Sequence, residues 1–184
     1  MVLSRDRRLV REFEGFVASY FLDDRADLAA MLLAAELLKQ NPPPVNVLFA
    51  ATVYEEMGGE GARYLMQQMQ PDVCIALEIG PSVPESPFVP DSQPTIWVQD
   101  GYTTMTAGDI GLLETVTHDI GQEPHWQALS GGGSDATCTA ALGLCARPIT
   151  LGLPVENSHG FEIMHKDAPT ELARLLTALL PRLV

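Results

Sequence analysis

Acidic side chains follow three successive apolar segments of this sequence, and a histidine follows a fourth. The acidic residues are Asp23, Asp24, Glu55, Glu56 and Glu78, and the histidine is His159. In an open α/β sheet the carboxyl ends of the strands meet at one edge, so side chains that follow strands converge there. Carboxylates that converge repel one another unless they retain a proton or bind a cation. The spacing therefore predicts one cluster of ionisable groups at a sheet edge.

Such a cluster suits metal-assisted hydrolysis. Mixed carboxylate and imidazole donors are typical ligands of zinc, cobalt and manganese. A carboxylate that bridges two ions holds them about 3.5 to 4 Å apart, which allows them to polarise a carbonyl group and deprotonate a shared water. Glu55 and Glu56 are adjacent and point in different directions. One can therefore bind metal while the other acts as general base towards the metal-bound water.

Each of these residues also has a structural explanation when it is taken alone. Asp23 precedes Arg25 and a helix, which is typical of helix capping combined with an ion pair. The acidic pair at 55–56 is typical of a solvated loop, and a single histidine such as His159 is as often structural as functional. Glu78 is less ordinary, because a glutamate at the end of an apolar strand must reach solvent or a partner. The order of the whole set favours the functional interpretation.

The elements that must position these residues alternate between strands and helices. The first five are a strand, a helix, a strand, a helix and a strand, at 15–22, 27–40, 45–53, 61–70 and 72–77. Asp27 is the expected N-cap of the first helix. The later elements begin with a short strand at 95–100 and a helix at 108–121. A second helix follows the glycine turn, and a strand at 146–155 and a helix at 171–184 complete the order. This order predicts an α/β fold whose mostly parallel sheet has helical crossovers on both faces.

Four motifs lie in order along the chain: LDDR at 22–25, TVYEEMGGEGA at 52–62, SGGGSDA at 130–136 and LPVENSH at 153–159. Together they resemble the motifs of the M42 family of glutamyl aminopeptidase-like di-metal peptidases, and they span nearly the whole chain. The resemblance implies the phosphorylase/hydrolase-like architecture of zinc peptidases. It also implies a metallo-aminopeptidase that hydrolyses N-terminal residues of short peptides.

The resemblance assigns a role to each residue of the cluster. Asp23 would bridge two divalent ions (Zn, Co or Mn), and Asp24 would follow it in a strained linkage that aims the Asp23 side chain. Glu55 would be the general base. The other ligands would be Glu56 and His159 on one ion and Glu78 on the other, where the family usually has aspartate.

The glycine-rich turn is expected to contact the substrate. By the same resemblance, Gly131, Gly132 and Gly133 would leave backbone N–H groups and a helix N-terminus near the substrate. Asp135 would organise the turn without taking part in the chemistry.

The sequence departs from the family pattern in three ways. The family has a second histidine ligand, in a His-x-Asp element upstream of LDDR, and an inserted β-rich domain that drives assembly, and neither is present here. Glu156 and Asn157 stand where the family has Arg-Tyr. The histidines that could replace the missing ligand are His118, His125 and His165, and each is expected to be structural or exposed.

Two interpretations follow from these departures. We expect residues 1–184 to be the C-terminal portion of a peptidase catalytic domain, with residues 1–14 flexible and one metal site incomplete. The loss of upstream strands would expose a sheet edge, which favours self-association. The chain is then an aminopeptidase or, among enzymes, a deacylase of small N-acyl substrates. The alternative is a catalytically impaired domain that acts as a structural or assembly module.

Composition excludes several other classes of protein. Asp and Glu number 24 against 11 Lys and Arg, for a formal charge of −13, and the absence of a basic stripe argues against nucleic acid and anionic membranes as partners. The cysteines Cys74, Cys138 and Cys145 form no Cys-x-x-Cys pair, which argues against a disulfide framework or a zinc knuckle. Without an apolar signal core or a spanning segment, the expected location is the cytoplasm.

Overall fold

The computed structural model describes residues 8–183, and these residues contain one seven-stranded sheet. Its strands are β1 (Val10–Phe13), β2 (Phe16–Ser19), β3 (Cys74–Pro81), β4 (Thr95–Gln99), β5 (His125–Ala128), β6 (Pro148–Glu156) and β7 (Glu162–His165). One path across the sheet runs β1-β2-β7-β6-β4-β5, and β3 pairs with β6. Thr150 pairs with Ala76 of β3 and also with Trp97 of β4. These two neighbours therefore lie on opposite edges of β6, the central strand.

The described helices cover both faces of this sheet. They are α1 (Leu22–Gln40), α2 (Glu60–Met69), α3 (Ala107–Asp119), α4 (Asp135–Ala140) and α5 (Ala168–Leu179), and a short 3-10 helix follows at Leu180–Arg182. Ile75 and Leu77 of β3 pack into the core formed with α1, α3 and α5. Cys74 and Ala76 instead pack against α4, because alternate side chains of a strand point to opposite faces.

The predicted α/β domain with helices on both faces is confirmed, but the prediction of a mostly parallel sheet is wrong. The pairs β3–β6 and β4–β5 are parallel, whereas β1–β2, β2–β7, β6–β7 and β4–β6 are antiparallel. Three of the four antiparallel pairs involve β1 or β7, which the sequence pattern missed, whereas β4 and β6 were both predicted as strands and also pair antiparallel. β1, β5 and β7 have only four residues each, which is too short for a reliable alternation of apolar and polar residues.

The first turn of α1 is irregular where the sequence reads Asp23-Asp24. Both residues have non-helical backbone angles, and the peptide bond between them is cis. Regular helix begins after them. Asp27 is therefore inside α1 and only 1% exposed, so the prediction that it caps the helix is wrong.

Two other sequence expectations differ from the structure. The segment 45–53, predicted as a strand, is not assigned to the sheet. β3 continues to Pro81, which places Glu78 within the strand and not after its end. The expected flexible stretch 1–14 lies partly in residues 1–7, outside the described residues, and its remainder includes β1, which pairs with β2.

None of the helices within residues 8–183 combines the length and apolarity needed to span a bilayer.

Candidate metal centre

The predicted ligands and general base line one cavity of about 420 Å³. Its wall includes Asp23, Glu55, Glu56, Glu78, Ser158, His159 and the three glycines Gly131, Gly132 and Gly133. No lysine or arginine occurs among the described residues that line it. The cavity is therefore strongly acidic.

The first donor group consists of Asp23 at the irregular start of α1, Glu56, and His159 in the loop after β6. Nε2 of His159 lies 3.3 Å from Oδ2 of Asp23 and 3.2 Å from Oε1 of Glu56. The three residues can each offer a donor atom within 4.8 Å of the others. His159 has φ of 62°, a left-handed conformation that is uncommon for a residue with a side chain. This group matches the ligand set that the resemblance implied for one ion.

A second group of three donors shares Asp23 with the first. Its other members are Asp24 and Glu78, and donor atoms of the three lie within 4.8 Å of one another. Asp24 had no ligand role in the sequence interpretation. The two groups thus contain five residues, and the carboxylate that the resemblance predicted to bridge is the one they share.

Glu55 faces the same cluster, and burial raises its pKa to about 7. The carboxylates of Asp135, Glu56 and Asp23 raise that pKa further in the same direction. A carboxylate whose pKa is near neutrality is a more effective proton acceptor at physiological pH than an ordinary glutamate. The position and pKa of Glu55 therefore suit a general base.

Three carboxyl groups, those of Glu78 in the cavity wall and of Asp24 and Asp27, are difficult to ionise together. Burial raises the pKa of Asp24 to about 7 and raises the pKa values of Asp27 and Glu78 well above the ordinary range. The two carboxylate oxygens of Asp27 have no hydrogen-bond partner among the described residues, and the neighbouring Asp24 carboxylate raises the pKa of Asp27 further. A divalent cation at either donor group would offset this repulsion. The oxygen-rich donor set with one imidazole therefore fits zinc, cobalt or manganese.

Glu162 holds the backbone at Asp23 and at His159, two members of the first donor group, and no sequence motif indicated this role. Its side chain is 1% exposed. One carboxylate oxygen accepts hydrogen bonds from the backbone N–H groups of Leu22 and Asp23, at 2.5 and 3.2 Å. The other accepts one from the N–H of His159 at 3.1 Å. Ser158 adds a hydrogen bond from its hydroxyl group to Asp23 Oδ2 at 3.1 Å.

The glycine-rich turn forms part of the cavity wall. The carbonyl group of Gly132 accepts a hydrogen bond from the N–H of Gly101 at 3.1 Å. A Cβ atom on Gly133 would collide with the ring of Tyr102, so any other residue there would displace that ring. Asp135 lies outside the lining and accepts a hydrogen bond from the Thr52 hydroxyl group. This contact ties the turn to the segment that carries Glu55.

His159 is the one histidine of the described residues that belongs to either donor group. His118 is exposed at the end of α3, with 90% of its side chain accessible. His125 binds Asp91 at 2.9 Å and stacks on Phe88, whereas His165 packs edge-on against Phe16. These three histidines have structural or exposed positions, as expected.

Comparison with known proteins identifies what the chain is similar to. The sequence model of the M42 glutamyl aminopeptidase family matches residues 2–175. A TET aminopeptidase from a marine-sediment Thaumarchaeota archaeon has 20% sequence identity and a TM-score of 0.87, over 95% of this chain and 51% of its own. An aminopeptidase from the archaeon Desulfurococcus kamchatkensis has 24% identity and a TM-score of 0.86, over 96% and 52%.

A third similar structure is the Pyrococcus horikoshii TET1 peptidase, which can assemble into a tetrahedron or a large octahedral shell. Its identity is 24% and its TM-score 0.82, over 94% of this chain and 52% of that one. At these identities the likeness establishes the fold. The chain spans about half the length of the solved structures it matches.

Proposed function

The chain belongs to the M42 glutamyl aminopeptidase family, and we propose that it is a metal-dependent aminopeptidase that removes N-terminal residues from short peptides. The observation that carries the proposal is the pair of three-donor groups that share Asp23. A shared carboxylate with separate donors on either side is the arrangement that a two-ion hydrolytic site requires.

The proposed ligand sets follow these two groups. Glu56 and His159 would hold one ion, Asp24 and Glu78 would surround the other, and Asp23 would contact both. Two divalent ions bound there would polarise the scissile carbonyl group and increase the acidity of water. Glu162 and Ser158 keep the Asp23 carboxylate in place by hydrogen bonds to the backbone and to Oδ2. Precise placement of ligands by such outer contacts is a general requirement of metal sites.

Glu55 is the proposed general base. It takes a proton from the attacking water and donates it to the departing amine, which is the usual path of proton transfer in amide hydrolysis. The raised pKa of Glu55, about 7, supports both steps, because the group can exchange a proton near neutral pH. The turn Gly131–Gly133 would bind the peptide substrate through backbone groups.

The second donor group favours an unequal pair of ions. It consists of carboxylates alone, whereas the first group adds an imidazole nitrogen. We therefore propose one well-held ion and a second, incomplete site. The same observation supports the alternative, in which the domain binds a single ion, is catalytically impaired, and contributes to assembly through self-association.

Hydrolysis of aminoacyl-p-nitroanilides tests the proposal. Metal-free protein is titrated with zinc, cobalt or manganese, beside a Glu55→Gln variant and a matched Glu60→Gln variant at an exposed position. Activity that requires metal, is lost in Glu55→Gln and is retained in Glu60→Gln supports the aminopeptidase. A folded protein that binds about one ion per chain without turnover overturns it and favours the assembly module.

A further inference from the structure

We propose that Cys74 and Cys145 are a redox-active thiol pair, which a hydroperoxide converts reversibly into a disulfide between the start of β3 and the turn before β6. Neither cysteine lines the cavity of the candidate metal centre, and neither takes part in the proposed hydrolysis. The inference is therefore independent of the proposed function, and its test does not require enzymatic activity.

The two cysteines meet at one end of the ladder between β3 and β6. Cys74 is the first residue of β3, and its backbone N–H donates a hydrogen bond to the carbonyl of Arg147 at 3.1 Å. Cys145 precedes Arg147 by two positions, so it lies beside the start of β3. Both cysteine side chains belong to one cluster of four buried residues, which Ala76 and Ala136 complete. The fold therefore brings two thiols together in a small, buried space.

The two thiol groups interact directly with each other. This interaction is the largest cause of the pKa shift of each cysteine: it lowers the pKa of Cys145 to about 6 and raises that of Cys74. The backbone N–H groups of Arg147 and Cys74 lower the pKa of Cys145 further. Because the thiolate is the nucleophilic form of cysteine, Cys145 is the sulfur that reacts first and Cys74 is the one that completes the bond.

The third cysteine, Cys138, is equally buried but has different surroundings. It lies within α4, and its Sγ contacts the backbone carbonyl of Asp135 at 3.5 Å. Burial raises the pKa of its thiol, which makes it a weaker nucleophile than Cys145 at neutral pH. It does not belong to the cluster that contains the other two cysteines. Cys138 is therefore a control for the reactivity of a buried cysteine in this chain.

Burial favours a small oxidant, because Cys74 and Cys145 are only 7% and 6% exposed. With hydrogen peroxide, the Cys145 thiolate attacks one oxygen, an S–O bond forms and the O–O bond breaks. The departing hydroxide takes up the proton that Cys145 released and becomes water. Sγ of Cys74 then attacks the sulfenic acid of Cys145, the S–S bond forms, and the hydroxide that leaves takes the Cys74 proton as a second water. Two thiols are oxidised and one peroxide is reduced to two waters.

The disulfide would constrain the unfolded chain. It closes a loop from Cys74 to Cys145 that contains β4, α3, β5 and α4. A cross-link that closes a long loop removes conformational entropy from the unfolded state. The oxidised chain should therefore unfold at a higher temperature than the reduced chain, and a dithiol reductant should reverse this increase by thiol–disulfide exchange.

Treatment of the whole chain with hydrogen peroxide, followed by mass spectrometry of its peptides, tests the pair. We expect the mass to decrease by two hydrogen atoms and the peptides that carry Cys74 and Cys145 to become linked, and dithiothreitol to reverse both changes. The two thiols should disappear together, about 10-fold faster than the thiol of Cys138. This measurement uses the wild-type chain, so its outcome does not depend on whether a variant folds.

Three alanine variants provide matched controls. Cys145→Ala should leave the Cys74 thiol unmodified, Cys74→Ala should add oxygen to Cys145 without forming a disulfide, and Cys138→Ala should form the same disulfide as the parent. The higher unfolding temperature after oxidation should appear in the parent and in Cys138→Ala alone. A disulfide that includes Cys138 or joins two copies of the chain would overturn the proposal. So would three thiols that remain unreacted, or added oxygen on Cys145 of the parent without a disulfide, at a peroxide concentration that oxidises free cysteine.

Discussion

One carboxylate oxygen of the buried Glu162 lies 3.1 Å from the backbone nitrogen of His159 and accepts its hydrogen bond. The other oxygen accepts from the N–H of Asp23, 139 positions away in sequence. A single residue of β7 thus sets the separation between the imidazole and the carboxylate of the first donor group. Any metal affinity of that group depends on a residue that contributes no ligand atom to either group.

Glu162→Gln should weaken zinc binding about 10- to 100-fold, the usual effect of losing an outer contact of a metal site. The amide nitrogen of glutamine would face a backbone donor, so one set of hydrogen bonds is lost. We also expect about 1 to 3 kcal/mol of destabilisation. Calorimetric zinc titration and thermal unfolding measure the two effects. Glu156→Gln, at the exposed end of β6, is the control, and wild-type affinity in Glu162→Gln would contradict the positioning role.

Replacement of Asp23 and replacement of His159 should reduce the number of bound metal ions by different amounts. Asp23 belongs to both donor groups, whereas His159 belongs to one. His159→Ala is therefore expected to lose the tighter ion and keep weak binding at the carboxylate group, and Asp23→Ala to lose both. Equilibrium dialysis with metal analysis gives the stoichiometry. Identical stoichiometry in the two variants would show that Asp23 is not shared.

The metal-free protein should lose stability as the pH increases towards neutrality. Burial raises the pKa values of Asp24 and Glu55 from 3.8 and 4.5 to about 7. The folded chain therefore holds more protons than the unfolded chain between these values, and stability decreases as the pH rises through that window. The contribution of these two groups is lost once the pH is well above 7, and bound metal should reverse it.

Glu55→Gln removes one of these groups and should stabilise the metal-free protein at pH 8. The pKa difference corresponds to about 3 kcal/mol, and its partial exposure to solvent reduces the expected gain to about 1 to 2 kcal/mol. Urea unfolding at pH 5 and pH 8 measures it, because the variant should differ from the parent at pH 8 far more than at pH 5. An equal difference at both pH values would contradict the assigned titration.

The convergence of Asp23, Glu56, Glu78 and His159 could be predicted from sequence because each follows an apolar run, and the carboxyl ends of such runs meet. Glu162 could not, because it lies in a four-residue strand without a pattern and acts through backbone contacts distant in sequence. Asp27 was misassigned because the irregular start of α1 displaces the helix boundary. The segment 45–53 has a strand composition, but a strand also requires a neighbour, which its own sequence does not supply.

The side chain preferred at the substrate N-terminus should be neutral or basic rather than acidic. The cavity contains the carboxylates of Glu55, Glu56 and Glu78 and no described lysine or arginine, and part of its wall is apolar, with Trp97 and Leu129. With zinc bound to Glu56 and Glu78, an acidic substrate side chain would still find no lysine or arginine in the described wall to pair with, and a buried charge without a partner costs several kcal/mol. We expect kcat/KM for leucyl- and lysyl-p-nitroanilide to exceed that for glutamyl-p-nitroanilide at least 10-fold with saturating zinc. Raising the ionic strength should narrow this gap by screening. Faster hydrolysis of the glutamyl substrate would mean that a cation outside this cavity wall contacts the substrate side chain.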